Sequence, residues 1–179
     1  MTQYVAIEKN IRVSGSAVLA VVEGMGVFKK GALRILEENG IVDPDKEKWF
    51  PQQAWLNAFK RIAEHIGQET LRAIGEKIPE TAIWPPTVQD IGEALASIDV
   101  AYHMNHFGGE IGHYSFERTG ERSARVVCNN PYPCAFDFGI VKATANRFAP
   151  EGVVPIVKHD LHGGCRQNCG ESCTYIVSW

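Results

Sequence analysis

The hydrophobic period changes once along the chain, near the glycine pair Gly108–Gly109. Before it, apolar residues recur every three or four positions, the spacing of one helix face. After it, most runs alternate, the spacing of a half-buried strand. A chain with this order predicts an α+β fold: an N-terminal helical layer packed on a small antiparallel sheet.

The first part, residues 1–107, reads as helices. "SGSAVLAVVEGMG" offers serine caps and an apolar run, and "FKKGALRILEENG" puts Phe28, Ala32, Leu33, Ile35 and Leu36 on a broad apolar side before Gly40. "DPDKEKW" is a charged turn. "FPQQAWLNAFKRIAEHIG" gives Trp55, Phe59, Ile62 and Ile66 one face. "QETLRAIGEKI" is a shorter helix that Pro79 is expected to stop. "TVQDIGEALASIDVAYHMNHF" reads as one long helix capped by Thr87 and ended by the glycine pair.

The second part, residues 108–179, reads as β-β-α-β-β within the same domain of 179 residues. "RTGER" is a hairpin turn, "NPYP" breaks the second strand, and "FDFGIVKATANRF" returns to helical spacing. In the last strand Cys173, Tyr175, Val177 and Trp179 share a face, and Pro155 marks the strand before it as an edge or a bulge.

Composition enters where partners are concerned. A net charge of -3 and a pI near 6.1 give no nucleic-acid-binding surface. No apolar run approaches the roughly 18 residues of a membrane span. The first residues lack the basic-then-apolar build of a secretory signal. A cytoplasmic protein is expected, where thiols stay reduced. Its five cysteines, an odd number, argue against a pure disulfide framework.

Two stretches could carry chemistry. In "HDLHGGCRQNCGESC", His162, Cys165, Cys169 and Cys173 lie close together, and Cys128 and Cys134 come from "VVCNNPYPC". Zinc takes about four such ligands at tetrahedral geometry, so Cys165, Cys173, His162 and one of Cys128 or Cys134 make a candidate site. The competing readings are small buried strand cysteines and a redox pair spaced C-x3-C. In "IDVAYHMNHFGG", helical spacing sets Asp99 one turn before His103 and Tyr102 one turn before His106. Either imidazole could hold a ligand, a metal or a haem iron; either could instead cap the last carbonyls of a helix. Trp49, Trp55, Trp84, Tyr102, Phe107, Tyr132 and Phe136 could line an apolar cavity or simply fill a core. No phosphate-binding glycine loop, nucleophile elbow or nucleophile–base pair is present in the sequence, which leaves catalysis unassigned and leans away from an enzyme.

On the residues of "HGGCRQNCGESCTYIVSW", the second half resembles the 4-vinyl reductase domain family. That resemblance implies a small-molecule-binding sensory domain, homodimeric, with a structural zinc and a separate signalling partner. Its ligand set maps onto Cys134 or Cys128, Cys165 and Cys173, with His162 standing where the family has an acidic ligand and Cys169 as a further substitute. The ligand, small and hydrophobic or aromatic, would sit against Trp55, Tyr102, His103 and His106. The whole-chain outline is similar to the haem-binding H-NOX sensors, with His103 or His106 in the helix that brings their axial histidine. Their Tyr-x-Ser-x-Arg pattern has no counterpart in "ARVVCNNPYPC", and "YSFER" at Tyr114–Arg118 lies one strand early, so haem is not expected. The alternatives are a haem-binding gas sensor of that type, or a reductase or hydrolase on the same scaffold.

Overall fold

The structure, a computed structural model, describes residues 2–86, 88–162 and 164–179. It is α+β, as the change of period implies, with seven α-helices and two antiparallel sheets among the described residues. The N-terminal part holds β1 (Arg12–Ser14), α1 (Gly15–Gly24), α2 (Lys29–Glu38), β2 (Trp49–Pro51), α3 (Gln52–His65), α4 (Gln68–Thr81), α5 (Ile91–Ala96), α6 (Ile98–Met104) and β3 (His106–Phe107). The C-terminal part holds β4 (His113–Gly120), β5 (Ser123–Asn129), α7 (Cys134–Arg147), β6 (Ile156–Asp160) and β7 (Cys173–Ser178).

The large sheet has the order β4-β5-β7-β6, every pair antiparallel. Its β6 is an edge strand that begins just after Pro155, where the missing N–H interrupts no ladder. On β7, Cys173, Tyr175 and Val177 are buried, and they sit opposite Cys128, Val126 and Ala124 of β5. The helix α7 lies against α4 as a close pair. A Cβ on Gly139 would come within 2.2 Å of the Arg72 carbonyl oxygen, and one on Gly75 within 2.1 Å of the Phe136 carbonyl oxygen. The two glycines therefore let the backbones touch, and no larger side chain fits at either crossing.

Several expectations are corrected. The long helix of residues 88–107 is two short ones, α5 and α6, joined at Ser97. Asp90 caps the first by accepting the Glu93 N–H, while the expected cap Thr87 lies outside the described residues. Pro79 falls inside α4 and does not stop it; one turn from the end, its missing N–H costs a single helical bond. Ile66 is the C-cap of α3 and half exposed, so of the four residues expected on its buried face Trp55, Phe59 and Ile62 are buried, with Leu56 and Ala58 beside them. On α2 the buried residues are Ala32 and Leu36, while Phe28 and Leu33 face solvent.

The small sheet, ordered β2-β1-β3, has no counterpart in the sequence reading. Its strands are two or three residues long, too short to show alternation. It matters for the site, because it removes His106 from the helix: His106 lies in β3, paired with Val13 of β1. Ser14 reinforces the junction. Its side chain accepts the Ala17 N–H at the start of α1 and donates to the Asn105 side-chain oxygen at 2.6 Å. Among the described residues no helix is long and apolar enough to cross a membrane.

Candidate functional site

A small apolar cavity of about 40 Å³ lies between the helical layer and α7. That is room for about one or two waters, well below the roughly 300–1,000 Å³ of small-molecule sites, so a larger ligand enters only if the walls part. Its walls are almost wholly apolar, drawn from α1, α3, α4, α6 and α7, with Trp55, Trp84, Tyr102, Tyr132 and Phe136 among them. Trp55 and Tyr132 meet edge to face at 5.2 Å between ring centres. Trp49 and Phe107 do not reach the cavity; they stack on each other at the surface.

His106 supplies the cavity's imidazole. Nδ1 lies 2.8 Å from the Tyr102 carbonyl oxygen, which can only accept, so Nδ1 carries the proton. Nε2 then holds the lone pair and accepts the Tyr132 hydroxyl at 2.6 Å. Tyr132 in turn accepts the Gln52 amide at 3.1 Å. Burial is the main cause that holds the His106 pKa down to about 4, so the ring is neutral at ordinary pH. A neutral imidazole with Nδ1–H fixed by a carbonyl is the tautomer in which Nε2 can bind a metal. His103 does not enter the cavity. It is exposed, with Nδ1–H donating to the Asp99 carbonyl at 2.9 Å.

A haem needs a wider space than this cavity offers as it stands, but the chemistry of the lining suits one at three points. His106 offers a ligating nitrogen, the walls offer apolar surface to a flat ring, and two buried indole N–H groups, of Trp55 and Trp84, have no hydrogen-bond partner. Orphaned buried donors cost about 1–3 kcal/mol each, so a ligand that brings acceptors to them recovers that loss. The neutral lining carries no arginine or lysine.

The second cluster joins α7, β6, β7 and the loop before β7. Ligand atoms of Cys134, His159, Cys165 and Cys173 all lie within 4.8 Å of one another. The Cys134–Cys165 and Cys165–Cys173 sulfur separations are 3.6 and 3.8 Å, and Cys134 Sγ to His159 Nδ1 is 3.6 Å. A tetrahedron with Zn–S near 2.3 Å and Zn–N near 2.0 Å has edges of about 3.8 and 3.5 Å. These separations are far too long for disulfides, and all five cysteines are free.

The structure thus brings three expected ligands together, Cys134, Cys165 and Cys173, and replaces the fourth. His162 is exposed, two residues past the end of β6, with its N–H on the Asp160 carboxylate. His159 lies within β6, opposite Tyr175, whose ring packs against it at 4.9 Å. Strand alternation at residues 156–160 was the signal that could have found it. Cys128 faces Cys173 across the ladder as a buried thiol, its pKa pushed up by burial, outside the cluster. Cys169 is exposed in a left-handed turn.

The loop also brings in a charge. Arg166 is buried, and its guanidinium meets the Asp137 carboxylate and the Asn130 carbonyl. Its backbone N–H donates to Cys173 Sγ at 3.4 Å. The Cys134 hydrogen bond, together with Arg166 and against burial, holds the Cys173 thiol below the usual thiol range, while Cys134 is raised and keeps its proton. One thiolate is thus ready at neutral pH.

No protein-family model and no curated relative matches the chain, so the 4-vinyl reductase resemblance gains no support. Solved structures do match. An H-NOX protein from S. oneidensis in the Fe(II)NO ligation state is 13% identical, with a TM-score of 0.64 over 91% of this chain and 97% of that one. A variant of the Fe(II) unliganded H-NOX protein from K. algicida is 14% identical, with a TM-score of 0.64 over 92% and 95%. A structure described as probing the function of heme distortion in the H-NOX family is 11% identical, with a TM-score of 0.62 over 93% and 94%. These neighbours overturn the expectation against haem. That expectation weighed one missing strand pattern, whereas the whole chain follows proteins described by their iron and heme. The chain has the fold of the H-NOX proteins.

Proposed function

We propose that the chain is a sensory domain that takes a flat, largely apolar ligand into its cavity, and that the ligand is haem, held at His106. The carrying observation is the His106 ring: a buried, neutral cavity wall, fixed with its lone-pair nitrogen on the hydroxyl of Tyr132, another wall. The fold shared with H-NOX proteins supports the same reading. When bound, haem would supply an iron able to take a small gaseous ligand. The chain's own residues do the rest. Tyr102 orients the imidazole through its carbonyl. Tyr132 guards Nε2 and must turn aside when the nitrogen is used. Trp55 and Trp84 offer N–H donors to acceptors on the ligand, and the apolar walls exclude water. Protein expressed with haem supplied should show a strong Soret absorbance band. His106→Ala should lose it while His103→Ala keeps it. A wild-type protein that stays colourless under those conditions would sink the proposal.

A second site stands beside it. The near-tetrahedral spacing of Cys134, His159, Cys165 and Cys173 favours a structural zinc that clips the loop before β7 to α7 and β6. Elemental analysis of native protein should give one zinc per chain at this cluster. The sensing scheme also includes a homodimer and a separate partner that receives the signal; sizing of the pure protein with and without ligand tests the first.

A further inference from the structure

We propose that Asp99, His103 and His113 form a second metal site, on the surface, for a borderline divalent transition ion such as nickel or zinc. One nitrogen from each imidazole and one oxygen of Asp99 lie within 4.8 Å of one another. The two rings are 5.3 Å apart, centre to centre, and inclined by only 30°.

The hydrogen bonds around the trio assign its nitrogens. His103 donates Nδ1–H to the Asp99 carbonyl at 2.9 Å, which leaves Nε2 with the lone pair. His113 has a carboxylate near each nitrogen: Asp99 Oδ1 is 3.7 Å from Nδ1, and Glu110 Oε1 is 3.6 Å from Nε2. One face therefore offers Nδ1 beside Asp99, and Glu110 stands 3.6 Å from the other nitrogen, where a small approach makes it the outer carboxylate usual for metal-bound histidine. Glu110 is itself fixed by the Gly112 N–H at 2.6 Å, and Asp99 by the Tyr114 N–H at 2.7 Å.

The separations favour an ion over direct pairing. At 3.7 Å the contact between His113 Nδ1 and the Asp99 carboxylate is too long to be a hydrogen bond. With metal–ligand bonds of about 2.0–2.2 Å, tetrahedral neighbours sit about 3.3–3.6 Å apart, so the Asp99–His113 pair need close by about 0.1–0.4 Å. Two nitrogens and one oxygen suit nickel, copper or zinc better than magnesium or calcium. The trio is open to solvent, so water completes the coordination and the ion exchanges freely.

The site also has a place in the fold. Asp99 and His103 stand on α6 and His113 opens β4; the same elements carry Tyr102 and Tyr114, two walls of the cavity. An ion here would clip α6 to β4 from outside. This site shares no residue with the cysteine–histidine cluster and does not depend on it or on haem.

The test uses the full chain after saturation with zinc and removal of the excess. Nickel chloride is titrated in by calorimetry, with the thermal midpoint followed in parallel. Wild type should take one further equivalent and melt higher with it. His113→Ala and His103→Ala should each weaken that equivalent at least tenfold and lose the added thermal shift, while their cluster metal, measured by elemental analysis, is unchanged. Both side chains are exposed, so the midpoints without nickel should stay near wild type. Glu110→Gln should weaken binding severalfold. Nickel should also broaden the imidazole proton resonances of His103 and His113 before those of His65, His159 and His162. No further equivalent in wild type, or unaltered nickel binding in both histidine variants, overturns the proposal.

Discussion

Tyr132 donates its hydroxyl proton to Nε2 of His106 across 2.6 Å, and so caps the one nitrogen through which the cavity could hold a metal. A metal-centred ligand must break that bond before it gains its own. A neutral hydrogen bond is worth about 0.5–1.5 kcal/mol net, or roughly a factor of 2–10 in affinity. Tyr132→Phe should therefore bind haem about 2–10-fold more tightly while its ligand-free form loses about 1–3 kcal/mol of stability through the orphaned Nε2. Haem titration by absorbance and urea melts of the ligand-free protein check the two halves. Weaker haem binding in Tyr132→Phe would mean that the hydroxyl holds the ligand instead of guarding the nitrogen.

The same imidazole sets an acid limit on the ligand-free fold. Burial lowers the His106 pKa from 6.5 to about 4, so between these values the unfolded chain binds a proton that the folded chain refuses. The stabilisation is complete above pH 6.5 and is lost as pH falls toward about 4, below which both states are protonated. At about 1.4 kcal/mol per unit, the loss is on the order of 3 kcal/mol. Urea melts at pH 7, 5.5 and 4 should show this slope in the wild type, and His106→Gln should flatten it. A slope unchanged in His106→Gln would assign the acid limit to other groups.

For the cysteine–histidine cluster, position in the structure and position in the sequence give opposite forecasts. Cys165→Ser and Cys134→Ser should each lose most of the bound zinc. His159→Ala should weaken zinc by about 10–100-fold, and His162→Ala, Cys169→Ser and Cys128→Ser should retain it. Competition with a chelator of known affinity, read by elemental analysis, separates these variants. Loss of zinc in His162→Ala with retention in His159→Ala would reverse the assignment.

What could be read from the sequence followed from long, regular patterns. The β4–β5 hairpin, α7 and the buried face of β7 carry several residues each of one period, so their type and order were legible. The residues that decide the site sit where no period runs. His106 looked helical because it follows Tyr102 by four, yet the chain leaves α6 at Asn105 and enters a two-residue strand that only its pairing with Val13 defines. Choosing between His159 and His162 required knowing where β6 ends. Arg166 and Asp137 went unread in the sequence, since their pairing spans 29 residues and has no local sign.

Arg166 and Asp137 are fully buried in each other's company, and this pair ties the zinc-type cluster to the cavity. Burial raises the Asp137 carboxyl to about 6 against the pull of Arg166, so the pair is ionised at neutral pH. Tyr114, a cavity wall, donates its hydroxyl to the other Asp137 oxygen, and the Arg166 N–H donates to Cys173. Removing one partner leaves a buried charge without its counterion, which costs about 3–5 kcal/mol. Arg166→Met alone should be destabilised by that amount and should also bind zinc less well, because Cys173 loses the charge that favours its thiolate. Asp137→Asn alone should be destabilised similarly while its cluster keeps zinc. The double variant should cost less than the sum of the two, since it strands neither charge. Urea melts of the four proteins close the cycle. Additive losses would show that the two side chains do not act as a pair.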